Sequence, residues 1–153
     1  MTPAANPLPA GYHTVTPHLI TADASRVIEF LQQVFGAIEH YRLSGPQGRI
    51  LHAEVRIGDS LIMVAEATDE QPPLPGSYAL YVDNVDDAYR RALAAGARSL
   101  REPVDQFYGD RSGGVEDPAG NRWWIATHIE DVPPDEIKLR AERWLKARTR
   151  VGA

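Results

Sequence analysis

Two stretches of this chain carry the same succession of signals, and that repetition limits the fold more than any single motif does. The first, "TPHLITADASRVIEFLQQVFGA", begins at Thr16, and the second, "SYALYVDNVDDAYRRALAAGA", begins at Ser77. Each opens on an alternating run that predicts a half-buried strand. In the first copy Pro17, Leu19 and Thr21 oppose Thr16, His18 and Ile20; in the second Tyr78, Leu80 and Val82 oppose Ser77, Ala79 and Tyr81. Helical spacing follows. Val27, Ile28, Leu31, Val34 and Phe35 share one face, as do Val85, Ala88, Tyr89, Ala92 and Leu93. Asp23 or Ser25, then Asn84, are the expected N-caps, and Gly36 and Gly96 supply the left-handed residues that end the helices.

Further strands are signalled after each helix. "RILHAEVRIGDSLIMVAEA" reads as a hairpin closed at Gly58-Asp59, with Leu51, Ala53, Val55 and Ile57 expected beneath the helix. In "SGGVEDPAGNRWWIATH", Asp117, Pro118 and Gly120 fit a type I turn through side-chain capping, a preset φ and tolerance of positive φ. Each half therefore reads strand, helix, then two or three antiparallel strands. The modules span residues 12–68 and 77–130, making one domain over 12–131 with a proline-rich linker at 69–76. Residues 132–153 form a tail whose Ile137, Ala141, Trp144 and Leu145 predict an amphipathic helix, packing on the sheet or on a second subunit.

Bulk properties remove several functions. A net charge of −5 argues against broad nucleic-acid affinity. The absence of cysteine removes disulfides, thiolate nucleophiles and zinc–thiolate sites. No apolar run reaches the roughly 20 residues that a membrane helix needs, and "MTPAANPLPAG" lacks an export pattern, so the expected location is the cytoplasm. The glycines of "YGDRSGG" lack the Lys-Ser/Thr of a phosphate loop, and Ser112 lacks a nucleophile elbow.

The paired halves, with "HAEVRIGDSLIMVAE" and "YGDRSGGVEDPAGNRWWIATHIEDV", resemble the vicinal oxygen chelate superfamily, in particular its glyoxalase-like and bleomycin-resistance-like branch. The resemblance implies an α+β fold: two βαβββ modules with curved, antiparallel-rich sheets forming a central cleft, commonly in a homodimer. Its enzymes hold a divalent metal through four His or Glu ligands. Carried over by position, those places fall near Thr16, at Ile62 or Met63, at Ser77 and at Trp124. None is a carboxylate or imidazole, so the usual metal site is expected to be absent and no cofactor is assigned. Asn121 stands where close relatives often carry His.

Strand alternation lists what the face away from the helices offers instead: Thr16, His18, His52, Glu54, Arg56, Ser77, Tyr81, Arg122, Trp124, Ala126 and His128. Tyr108 and Arg111 of the neighbouring loop join the candidate ligand-binding residues, Arg111 either for an anionic group or as a partner of Asp110. Trp123 is expected in the core and Trp124 against a ligand. The leading expectation is a protein that binds a small organic ligand without the four-ligand metal. The alternative is a lyase, isomerase or dioxygenase-type enzyme, working through a His base or through a relocated metal site of His18, His52 and Glu54. An interaction module using the terminal helix is the third reading.

Overall fold

The computed structural model describes residues 5–151. The chain divides into two compact units, one running through Gly76 and including Asp117–Asn121, the other Ser77–Glu116 with the chain from Arg122 onward. Each unit carries one βαβββ module, as the repeat requires. The first runs β1 (His18–Thr21), α1 (Ala24–Phe35), β2 (Ile38–Ser44), β3 (Ile50–Ile57) and β4 (Ser60–Glu66). The second runs β5 (Ser77–Tyr81), α2 (Val85–Ala94), β6 (Arg98–Asp105), β7 (Asp110–Glu116) and β8 (Arg122–His128), followed by α3 (Pro134–Val151). Both sheets have the same order, β1-β4-β3-β2 and β5-β8-β7-β6, with one parallel pair followed by two antiparallel ones. The fold is α+β with two mixed four-stranded sheets.

Local chemistry explains the elements. Asp23 caps α1 by accepting from the Arg26 N–H, and Asn84 caps α2 by accepting from the Asp87 N–H. Gly36 ends α1 in the left-handed region at φ 64°, where a side chain would cost energy. The two residues Gly58 and Asp59 close the β3–β4 hairpin, Ile57 pairing with Ser60. In the first unit Leu19, Val55 and Val64 pack under Val27, Leu31 and Val34, all buried. In the second, Val115, Trp123 and Ile125 pack under Val85, Ala88 and Ala92. Burying one such side chain contributes about 1.5–3 kcal/mol, so these apolar clusters hold each helix to its sheet.

Three expected core residues lie elsewhere. Leu51 is 51% exposed and Ile50 is buried instead, at the place where the ladder slips between Leu43 and Ser44. Ile57, at the hairpin end, is only half-buried. Leu93 is 39% exposed on the last turn of α2.

The Asp117–Asn121 turn is tied into the first unit. Asp117 Oδ1 accepts from the Ala119 and Asn121 N–H groups, and its Oδ2 accepts from Asn121 Nδ2. Asn121, fully buried, accepts from the Gly76 N–H at 3.0 Å, so this position fastens the end of the linker. In the second unit α3 is held by Arg140, which forks onto Glu130 at 2.8 Å and bonds Glu136, and by Trp144 packing at 5.6 Å on Phe107. Its apolar stripe is only partly covered: Ile137 and Ala141 are half-buried, while Leu139, Trp144 and Leu145 are exposed. Among the described residues no helix is long and apolar enough to cross a membrane.

Candidate functional site

Each sheet has one face under its helix and one face away from it, here called distal. The pairing registers decide which residues share the distal face of the first sheet. His18 pairs with Met63, Met63 with Glu54, and Glu54 with Tyr41, which makes one row across all four strands. His52 with Leu43, and Arg56 with Ile38, form rows on either side. Alternation alone would send Ile38 and Tyr41 to opposite faces; the extra residue His40, bulged between Glu39 and Tyr41, brings them together. Ile38, Tyr41 and Leu43 consequently present exposed apolar surface beside the polar rows.

The polar groups in these rows influence one another. His52 Nε2 lies 3.5 Å from Glu54 Oε1, and its ring lies 6.4 Å from that of Tyr41. Burial, and then the proximity of His52, lowers the His18 pKa below the usual imidazole value. The segment through Gly11 and Tyr12 crosses the same face: a Cβ at Gly11 would stand 3.2 Å from Arg56 Nη2. The Tyr12 hydroxyl is sealed from solvent and forms no hydrogen bond within the described residues. Burial, with the Glu54 carboxylate nearby, pushes its pKa up to about 12.

The second sheet presents a different chemistry. Arg122 pairs with Ser77, Trp124 with Ala79 and Gly114, and Ala126 with Tyr81 and Ser112, which places all of these on the distal face. Trp124 lies across β7 because residue 114 has no side chain: a Cβ there would fall 2.3 Å from Cζ3 of the indole. The Trp124 Nε1–H donates to Ser77 Oγ at 3.2 Å. The Arg101 guanidinium carbon stands 5.3 Å from the indole centroid, and its Nη2 donates to the buried Ser112 Oγ at 2.7 Å. Glu116 receives both Arg98 at 3.0 Å and Arg122 at 3.7 Å.

At the far end of this face Asp110, buried, joins two side chains. Tyr81 donates its hydroxyl to Oδ2 at 2.8 Å, and His128 Nδ1 bonds Oδ1 at 2.7 Å. The other His128 nitrogen meets Asp131 at 2.7 Å. These bonds, Asp110 first, raise the His128 pKa, and the bond to Asp110 raises that of Tyr81.

Not every predicted residue takes its expected place. Thr16 precedes β1 and is half-buried. His18, His52, Glu54 and Arg56 share the distal face of the first sheet, and Ser77, Tyr81, Arg122 and Trp124 that of the second. Arg111 does not join them. It alternates with Asp110, so it points to the helix side, where Nε and Nη2 grip Asp86 at 2.8 and 2.9 Å and Nη1 reaches Asp105 at 3.0 Å. That fork raises the Arg111 pKa and lowers that of Asp86, and it fixes the start of α2. Tyr108 sits in the turn between β6 and β7, packed edge-on against Phe107, outside either face. Arg101 and Gly114 act on Trp124 only across strands and carry no local sequence signal of that role. A separate cavity of about 250 Å³ in the first unit is lined by Thr21, Asp23, Arg26, Pro73, Pro118 and Ala119.

The residues at the four family ligand positions do not fit a divalent metal. Ile62 is buried on the helix side, leaving Met63 on the distal face, and a thioether suits soft ions. Ser77 Oγ already accepts the indole N–H of Trp124, which has no lone pair to offer. The alternative set of His18, His52 and Glu54 gains no support: among the described residues no three His, Asp or Glu side chains converge as metal ligands. The reason is spacing. His18 on β1 is separated from β3 by the intervening β4, and each strand step is about 4.8 Å.

Comparison with known proteins places this architecture. An uncharacterized protein of Mycobacterium bovis is 34% identical over 138 residues, covering 81% of this chain and 89% of its own length. Among solved structures, TioX from Micromonospora sp. ML1 superposes with a TM-score of 0.65 at 25% identity, covering 76% of this chain and 99% of its own. A glyoxalase/bleomycin resistance protein/dioxygenase family enzyme from Burkholderia phytofirmans gives 0.60 at 23% identity, covering 73% and 95%. The sequence profile of one family matches residues 12–125, nearly the whole of both modules. The chain belongs to the Glyoxalase/Bleomycin resistance protein/Dioxygenase superfamily.

Proposed function

We propose that this protein binds a small organic molecule on the distal face of its second sheet, without the four-ligand metal centre of its superfamily's enzymes. One observation carries the reading: Trp124 is held flat on Gly114 between Ser77 and Arg101, half-buried and with its ring fixed before any ligand arrives. An indole fixed in this way loses little freedom on binding, which is how rigid aromatic contacts gain affinity. Native mass spectrometry of freshly purified protein, followed by a thermal-shift screen of aromatic and aliphatic compounds, tests it. A compound that raises the melting temperature of the wild type and has no effect on Trp124→Ala is the expected outcome. Failure of every aromatic compound to bind, or equal binding by Trp124→Ala, overturns the reading.

A second reading rests on the first sheet. His18, whose charged form is disfavoured by partial desolvation and by His52, shares a row with Glu54, while the sealed Tyr12 phenol stands near the same carboxylate. A neutral imidazole is suited to act as a general base on an acidic C–H of a molecule bound on that face of the first sheet. Exchange of that proton for deuterium, abolished in His18→Asn while ligand affinity is retained, supports an enzyme; no exchange in the wild type excludes this chemistry. The exposed Trp144 and Leu145 support a homodimer, which light scattering at micromolar concentration checks.

A further inference from the structure

The distal face of the second sheet also has a charge preference. Arg98 faces Glu116 across the β6–β7 ladder, and Arg101 faces Gly114, so both share this face with Arg122 and Trp124. Three guanidinium groups thus share this face with the indole, Arg101 beside the ring and Arg98 and Arg122 in the next row, where both pair with the Glu116 carboxylate. Arg101 is set apart from that pairing. Among the described residues its partners are neutral, the Ser112 hydroxyl and the indole ring, and it forms no ion pair with a carboxylate. Asp110, the other acid of β7 on this face, is committed to Tyr81 and His128.

The Ser112 bond and the ring contact aim the Arg101 fork before a ligand arrives, and a guanidinium fork matches the two oxygens of a carboxylate. A flat hydrocarbon gains only the stacking surface, whereas a flat ring bearing an anionic substituent gains the ring contact and an ion pair together. A cationic ligand meets repulsion from the same three arginines. We propose that this face is a binding site selective for planar aromatic carboxylates, with Trp124 contacting the ring and Arg101, supported by Arg122, pairing with the carboxylate. The proposal rests on the ligand-binding reading above and specifies the class of ligand.

The test uses matched probes in isothermal titration calorimetry with the full chain: 2-naphthoate, its neutral counterpart 2-naphthamide, and the cationic 2-naphthylmethylamine. A charge-assisted pair contributes about 1.5–3 kcal/mol, so naphthoate is expected to bind wild type at least about tenfold more tightly than the amide. Arg101→Gln should weaken naphthoate by about that factor and leave the amide unchanged, whereas Trp124→Ala should weaken both. Arg122→Gln, on an exposed residue, provides a second variant and should cause a smaller, salt-sensitive loss. Equal affinity of wild type for naphthoate and naphthamide, or a preference that survives Arg101→Gln, overturns the charge selection while leaving ligand binding itself intact. Failure of all three probes against wild type, when the thermal-shift screen finds another ligand, also overturns this inference and not the broader reading.

Discussion

Replacing Gly114 by alanine should destabilise the protein through one distant side chain, Trp124. The new Cβ would lie 2.3 Å from Cζ3 and 2.5 Å from Cε3 of the indole. No backbone atom blocks it, so the strand stays in place and the ring swings away. Two contacts are then lost: the Nε1–H bond to Ser77, worth about 1 kcal/mol net, and the contact with Arg101, worth about 0.5–1 kcal/mol at an exposed site. Alanine in a strand is itself more favourable than glycine by roughly 0.5–1 kcal/mol, so the single substitution should cost only about 1 kcal/mol. The informative quantity is the coupling. In a Trp124→Ala background there is no ring to displace, and Gly114→Ala should stabilise by roughly 0.5 kcal/mol. Urea unfolding of the wild type, both single variants and the double variant, followed by far-ultraviolet circular dichroism, gives the coupling energy. Its expected size is about 1.5–2 kcal/mol. A coupling below about 0.5 kcal/mol, the usual limit for independent sites, would mean that Gly114 does not exist to seat the indole, and would refute the argument.

Gly109→Ala is expected to be worse than Gly114→Ala, because its Cβ would fall 2.1 Å from the Glu130 carbonyl oxygen, a backbone atom, and its φ of +102° is itself unfavourable for alanine. A loss of about 3 kcal/mol, with faster tryptic cleavage within α3, is expected; wild-type protease resistance would contradict it. The His128 pair predicts a pH dependence. Its pKa in the folded chain is raised by Asp110 and Asp131, so its stabilisation is complete below the unfolded imidazole value and is lost as pH rises through the higher folded value. Urea midpoints of wild type and His128→Gln should therefore differ at mildly acidic pH and converge on the alkaline side; a gap that widens with pH would be wrong in sign. His18 should show the reverse shift by NMR, titrating below the ordinary imidazole range, since burial and His52 both disfavour its charge. Its titration at or above that range would remove the support for a neutral base.

The architecture was legible because it is written in short-range periodicities. Val27, Ile28, Leu31 and Val34 mark one helix face, Asp23 and Asn84 mark two helix starts, and Gly58-Asp59 marks one hairpin; each of these signals acts within a few residues. The faces were legible wherever alternation held, which separated buried Trp123 from half-buried Trp124. They were not legible where the ladder slips. The bulge at His40 puts Ile38 on the same side as Tyr41, and the slip at Leu43/Ser44 accompanies an exposed Leu51. For Arg111 the sequence left a ligand contact and a structural ion pair equally open; beside Asp110 in a strand it faces the other way, toward Asp86 of α2.

The candidate site was least legible because its parts communicate across strands. Nothing near Arg101 in sequence announces an aromatic partner, and Gly114 reads as one of two adjacent glycines until β8 is placed beside β7. The repeat also concealed how differently the two modules have been furnished. Both sheets have the same strand order, so the same backbone offers the same distal positions twice. On the first sheet those positions hold His18, His52 and Glu54 beside Arg56; on the second they hold Arg98, Arg101, Arg122 and Trp124 beside Glu116 and the Tyr81–Asp110–His128 group. If the two faces act independently, Arg101→Gln should weaken binding of an anionic ligand to the second sheet and leave the His18 titration followed by NMR unchanged, while His18→Asn should leave that ligand's affinity unchanged. A variant in either sheet that changed both properties would show that the independence does not hold.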